Sequence, residues 1–181
     1  MLRDFSLELP DSGVVAFMGP SGCGKTTVLR ILAGLERPDS GVVSGSYSRL
    51  SVVFQEDRLL GGVSAFGNVT AVLDRKNKQD ALDWLERMGL ENDKSLLPDE
   101  MSGGMRRRLA IARAMAYGGD LVLLDEPFSG LDEATIERIC PYIFDDRFEN
   151  RLTILVTHDR SRAERLANRL VVVDGPPLII S

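Results

Sequence analysis

The run that most constrains this chain is VVAFMGPSGCGKTTVLRILAG, where an apolar strand-like segment meets a glycine-rich turn and then a helix-like segment. Gly19, Pro20, Ser21, Gly22, Cys23, Gly24, Lys25 and Thr26 spell the pattern of a phosphate-binding loop in the context that pattern requires. Glycines let the backbone turn tightly and aim its N–H groups at phosphate oxygens. The start of the following helix adds a field that favours an anion. Lys25 is placed to reach the β- and γ-phosphates, and the Thr26 hydroxyl to ligate magnesium. Cys23 reads either as a small residue accepted in the turn or as a thiol near the positive end of a helix.

Beyond the loop, short apolar runs alternate with longer helical stretches, which predicts an α/β chain with parallel strands. Strands are expected near 5–9, 14–18, 51–54, 121–124, 152–156, 170–173 and 178–180. Helices are expected near 25–33, 65–74, 78–88, 103–117, 133–145 and 160–168, with Gly34 and Gly89 as C-terminal caps and Pro141 kinking or splitting the fifth helix. The segment from about Asp57 to Asp99 carries no strong strand signal and reads as helical, a candidate insertion between sheet elements.

Chemistry collects at three strand ends. LVLLDEP places Asp125 and Glu126 after a buried-looking strand, the position where catalytic groups gather in parallel sheets. Asp125 suits a magnesium shell, and Glu126 suits a general base or a group that positions water. His158, the chain's only histidine, follows LTILV and is placed to contact a γ-phosphate or the attacking water. Gln55 follows SVVF, where its amide can join the metal shell and sense the γ-phosphate.

Composition removes other classes. A net charge of −5 gives little general attraction for nucleic acid. The one dense basic run, Arg106-Arg107-Arg108, reads as a solvated face or as ion-pair partners. The apolar runs are too short to cross a membrane, and MLRDFSLELP does not have the shape of a secretory signal, so the chain is expected in the cytoplasm. Cys23 and Cys140 support neither a disulfide framework nor a zinc site.

Taken in order, these motifs resemble the ATP-binding cassette (ABC) ATPases, and specifically the nucleotide-binding subunits of ABC transporters. GPSGCGKTT, through Thr27, is similar to the Walker A motif; Gln55 to the Q-loop glutamine; MSGGM to the signature usually written LSGGQ; LVLLDEP to Walker B; SGLD to the D-loop; and THD to the switch-histidine loop. The resemblance spans about Phe5 to Val173. It implies a P-loop NTPase (RecA-like) core at 1–56 and 119–181 with an antiparallel β portion, and an inserted helical subdomain at 57–118 that carries the signature. It further implies that ATP and magnesium bind, that Lys25, Gln55, Glu126 and His158 serve hydrolysis, and that Thr26, Gln55 and Asp125 serve the metal.

Two cassettes are then expected to pair head to tail, a homodimer in the first instance. Ser102, Gly103 and Gly104 of one would face the ATP of the other, and Asp132 would lie at the interface. Integral membrane permease subunits are implied as further partners, received by a groove along 55–69, and no nucleic acid is. The alternatives are an ABC ATPase serving a macromolecular machine other than a transporter, and a weakly active cassette that needs a different partner cassette. Three departures stand out: Met105 replaces the signature glutamine, the usual upstream aromatic that stacks on adenine is not found, and nothing after VVVDGPPLIIS reads as a regulatory domain. The second predicts similar affinity for ATP and GTP.

Overall fold

The computed structural model describes residues 2, 5–73, 77–145, 150–175 and 178–180. Its strands are β1 (Gly13–Met18), β2 (Leu50–Val53), β3 (Leu121–Asp125), β4 (Leu152–Val156), β5 (Arg169–Asp174) and β6 (Ile179–Ile180). Its α-helices are α1 (Lys25–Leu32), α2 (Ala65–Thr70), α3 (Lys78–Arg87), α4 (Gly103–Tyr117), α5 (Glu133–Ile143) and α6 (Arg160–Leu166), with a 3₁₀ turn at Pro98–Glu100.

Six strands form one sheet in the order β2-β3-β4-β1-β5-β6. β1 lies parallel between β4 and β5, with Val15 opposite Ile154 and Ala16 opposite Leu170, and β3 runs parallel to β4 with Leu123 opposite Ile154. β6 adds a two-residue antiparallel pairing to β5. Strands of a parallel sheet are covered on both faces and so read as unbroken apolar runs. LVLLD is buried at all five positions and LTILV at four of its five. Val15, Phe17, Leu123, Ile154, Val156, Val171 and Val173 make one core with Val28 and Leu29 of α1.

Two compact units emerge. One comprises Met1–Val52, Asp120–Glu126 and Asp146–Ser181, the other Val53–Gly119 and Pro127–Asp145. The second unit contains α2, α3, α4 and α5. Within it α2, α3 and α4 pack on one another around Leu85, Met88, Leu109 and Ile111.

Two expectations fail on physical grounds, and one of the two readings of Pro141 is removed. Residues 5–9 form no strand: Phe5, Leu7 and Leu9 do turn inward in alternation with exposed Ser6 and Glu8, but the Glu8 carbonyl accepts from the Arg169 guanidinium at 2.7 Å. Alternation reports which side is buried, whereas a strand also needs a neighbour for its backbone. Pro141 does not split its helix, since α5 continues to Ile143, and what Pro141 forgoes is one backbone donor. The helix from Ala65 stops at Thr70, short of the expected span, whose last residue, Asp74, lies outside the described residues.

Gly34 and Gly89 end α1 and α3 as expected. Their left-handed backbones (φ +69° and +64°) turn the N–H groups back onto Ile31 and Glu86.

Candidate active site

β1 ends at Met18 and the glycine loop begins at once, so the loop takes its position from the middle of the sheet. Gly19 lies so close to β5 that a Cβ there would stand 2.1 Å from the Val173 carbonyl oxygen. Gly24 caps α1 with φ +119°, a backbone that glycine alone adopts easily. Pro20, Ser21 and Gly22 are exposed, while Cys23 is wholly buried and belongs to the core. The bland reading of Cys23 is therefore the one its surroundings support: its sulfur fills space under the loop, 3.7 Å from the Lys25 amine.

Lys25 is 9 % exposed, and its Nζ donates to the carbonyls of Gly19 and Pro20, each at 2.8 Å. The ammonium is thereby held across the mouth of the loop. Thr27 occupies the third position of α1. The Thr26 hydroxyl donates to Asp125 Oδ2 at 2.8 Å, which joins the loop to the end of β3. Because the hydroxyl proton is committed to the carboxylate, the oxygen's lone pairs are turned toward anything electropositive outside.

Asp125, 3 % exposed, is the last residue of β3, and Glu126 follows with φ +47°. A left-handed backbone at a residue with a side chain costs about 1–2 kcal/mol, and such strain gathers at functional positions. It is held by the Glu126 N–H donating to the Val156 carbonyl at 3.0 Å. The turn re-aims the side chain toward His158, whose Nδ1 lies 3.0 Å from Glu126 Oε2. A carboxylate oxygen accepts, so Nδ1 is the donor, and Nε2 sits on a ring whose side chain is 81 % exposed. Asp159, next to His158, caps α6, and hydrogen bonds from the Arg162 N–H and the Ser161 hydroxyl hold its carboxyl below the usual range.

Lys25, Thr26, Asp125, Glu126 and His158 thus meet at the adjoining C-terminal ends of β1, β3 and β4. Among the described residues, no three or more His, Cys, Asp or Glu side chains converge on a common metal site. That donor set fits magnesium, which takes one or two protein ligands and completes its shell with water and phosphate oxygens.

The remaining residues lie in the second unit. Ser102 is the N-cap of α4, its hydroxyl accepting from the Met105 N–H at 3.2 Å, a contact worth about 1 kcal/mol. Gly103 is exposed, and a Cβ on it would meet nothing nearer than the Arg106 guanidinium at 3.9 Å, so packing does not explain that glycine. Met105 is half-buried at the start of the α4 stripe that continues through buried Leu109 and Ala112. Asp132 caps α5, and the Thr135 N–H and hydroxyl hold its carboxyl below the usual range. Gln55 is exposed two residues beyond β2.

Of the two readings of the basic run, ion pairing holds at Arg107, which meets Asp57 at 3.3 Å, and the solvated face does not. Arg107 is 3 % exposed rather than solvated. Its Nε donates to the Pro127 carbonyl at 2.9 Å, and its Nη1 reaches the Phe54 carbonyl, the Gln55 carbonyl at 3.3 Å and Asp57 at 3.3 Å. Arg106 donates to the Met101 carbonyl, and Arg108 to the carbonyls of Met88 and Gly89. These guanidiniums serve the unit's own backbone. Sequence reasoning also missed Asn68, fully buried, whose amide satisfies Leu60, Val63 and Ser64; an asparagine inside a helix was the available sign.

Residues 2–129 match the ABC transporter family. The chain is 39% identical over 191 residues to the taurine import ATP-binding protein TauB of Pseudomonas aeruginosa, covering 98% of this chain and 73% of that protein. It is 41% identical to the aliphatic sulfonates import ATP-binding protein SsuB 1 of Paracoccus denitrificans, covering 97% and 74%. Among solved structures, the dimeric bacterial ABC transporter cassette MJ0796 superposes with a TM-score of 0.86 at 26% identity, over 96% of this chain and 86% of that one. The same cassette in a post-hydrolysis state bound to ADP and Pi gives 0.83 at 27% identity, over 94% and 85%.

Proposed function

This chain belongs to the ABC transporter family, and on that premise we propose that its strand-end cluster is the hydrolytic centre of an import ATPase. The subunit binds ATP, closes as a head-to-tail dimer with a second cassette, hydrolyses the nucleotide and reopens, driving transport through separate membrane subunits. The relatives named as import proteins and the dimeric cassettes of like fold support this reading. Among the described residues no helix is long and apolar enough to cross a membrane, in keeping with permease partners on other chains and a place on the inner face of the membrane. Those relatives differ in cargo, which fits cargo choice by other subunits.

The observation that carries the reading is the Glu126–His158 contact beside the Thr26–Asp125 bond. Glu126 orients the attacking water and takes its proton. The His158 Nδ1–H holds the carboxylate in place, while Nε2 is free toward the γ-phosphate. Lys25 exchanges the loop carbonyls for β- and γ-phosphate oxygens. Magnesium, when bound with ATP, neutralises charge on the leaving and transferring phosphates; Thr26 and Asp125 hold it, with Gln55 completing the set.

Gly19 through Thr27 form the phosphate cradle, and Ser102, Gly103 and Gly104 present a second cradle to the partner's ATP. The exposed, unpacked Gly103 in the first turn of α4 supports that second role. Asp132 lies at the same interface. We assign 1–56 and 119–181 to the nucleotide-binding core, 57–118 to the helical subdomain, and the β5–β6 pairing to an antiparallel portion.

Glu126→Gln with ATP and magnesium tests the assignment. Turnover falls by at least about a hundredfold, and an ATP-dependent dimer accumulates on a sizing column. Turnover at the parental rate would remove Glu126 from its role.

A further inference from the structure

The motifs leave unexplained why α4 buries a guanidinium in its second turn. A buried arginine is tolerated only where its donors are matched. The Arg107 partners named above lie in two segments. Phe54, Gln55 and Asp57 follow β2 directly, and Pro127 follows Glu126. Those are the segments through which the chain leaves the ends of β2 and β3, and each carries a residue placed in the hydrolytic machinery. Arg107 itself is five residues along from Ser102, on the same helix.

Nearby groups reinforce the first segment alone. Arg113 donates to the carbonyls of Asp57 at 3.3 Å and Arg58 at 2.9 Å. Asn68 holds Leu60 and its neighbours. The Arg107 guanidinium bonds both exits at once, and a planar fork with donors on Nε and Nη1 is the side-chain shape that can do so.

We propose that Arg107 is a positioning residue for ATP hydrolysis, clamping the backbone of Gln55 to the backbone that follows Glu126 and fastening both to the signature helix. The inference rests on the proposed hydrolytic role of Gln55 and Glu126. A change at the γ-phosphate that displaces either segment is passed through one guanidinium to the other and to α4. Arg107 touches no nucleotide in this scheme. Its loss therefore acts on the chemical step rather than on ATP capture, which belongs to the glycine loop.

The test uses the full chain with ATP and magnesium, comparing Arg107→Lys and Arg107→Met in the parental background and in Gln55→Ala. Lysine keeps a charge near Asp57 but cannot span both exits. Misplacement of a catalytic group by about 1 Å costs up to roughly a hundredfold in rate, so kcat falls about tenfold for lysine and further for methionine. KM for ATP stays within about twofold, because only the positioned step is weakened. In Gln55→Ala the Arg107→Lys effect shrinks to less than half its logarithm, the mark of residues acting as one unit.

Unchanged kcat in a folded Arg107→Lys protein overturns the proposal. So does full additivity with Gln55→Ala, or a loss carried by KM. If methionine prevents folding, the lysine series decides alone. The proposed hydrolytic reading fails separately, by parental turnover that survives Glu126→Gln and Gln55→Ala.

Discussion

Gly19→Ala isolates the requirement that the P-loop be packed against the sheet from the requirement that it turn. A Cβ at Gly19 would lie 2.1 Å from the Val173 carbonyl oxygen, 2.9 Å from its Cγ2 and 3.1 Å from its carbonyl carbon. The nearest atom is backbone, and β5 is tied to β1 through the Met18–Val172 register, so it cannot swing aside as a side-chain tip would. The loop must retreat by roughly 1 Å, and overpacking of this kind costs about 1–3 kcal/mol, here at the upper end. Retreat also draws the Gly19 carbonyl away from the Lys25 ammonium, now at 2.8 Å. A hydrogen bond from a charged donor contributes about 1.5–3 kcal/mol, part of which the Pro20 carbonyl retains.

The expected loss is about 3–4 kcal/mol, or roughly 10 °C in Tm for a chain of this length, with ATP affinity reduced as well. Gly22→Ala is the contrast. Nothing lies within 4 Å of its Cβ, but φ is +79°, so only the left-handed backbone is penalised, by about 1–2 kcal/mol. Gly61→Ala, with open space and no such φ, changes stability by less than about 0.5 kcal/mol. Thermal and urea melts of the three proteins, with a nucleotide titration for each, make the comparison. A Gly19→Ala protein that melts within about 2 °C of Gly61→Ala and binds ATP normally would refute the steric argument.

Thr26→Val keeps the volume but removes the hydroxyl shared with Asp125; magnesium-dependent turnover falls by about a hundredfold or more, while nucleotide binding in chelator, followed by fluorescence, changes little. Asp120 accepts from the Ser48 hydroxyl and N–H and from the Arg49 N–H, and those bonds, the Ser48 hydroxyl first, hold its carboxyl well below the usual range. The folded form therefore releases this proton more readily than the unfolded chain, so the contribution is present above the unfolded value near pH 4 and fades as the pH falls below it. Asp120→Asn should lower Tm at pH 7 and flatten the acid limb of the Tm–pH curve. An acid limb identical to the parent's would exclude Asp120 from that role.

How far the sequence speaks depends on the range of the interaction. The loop from Gly19 to Thr26, the Asp125-Glu126 strand end and the caps at Gly34 and Gly89 were legible because each is written in consecutive residues. The alternating run 5–9 misled because burial on one side needs only local spacing, while a strand needs a partner elsewhere in the chain. For Arg106-Arg107-Arg108 the sequence left a solvated face and ion pairing side by side, and only the second holds at Arg107. Charge density along a helix is visible in the sequence, but the acceptors of Arg107 lie 20 and more positions away.

The sequence by itself determined the α/β class, the phosphate-loop pattern and which side chains are candidates for the site, because local backbone geometry and side-chain chemistry are properties of short segments. Only the tertiary structure decided that β1 lies between β4 and β5, which brings Lys25, Thr26, Asp125, Glu126 and His158 to one edge. It also decided that Glu126 turns through a left-handed backbone to meet His158, and that Arg107 points inward. These outcomes follow from long-range burial and hydrogen-bond matching, where a polar group's position is set by whichever distant partner can satisfy it once water is excluded.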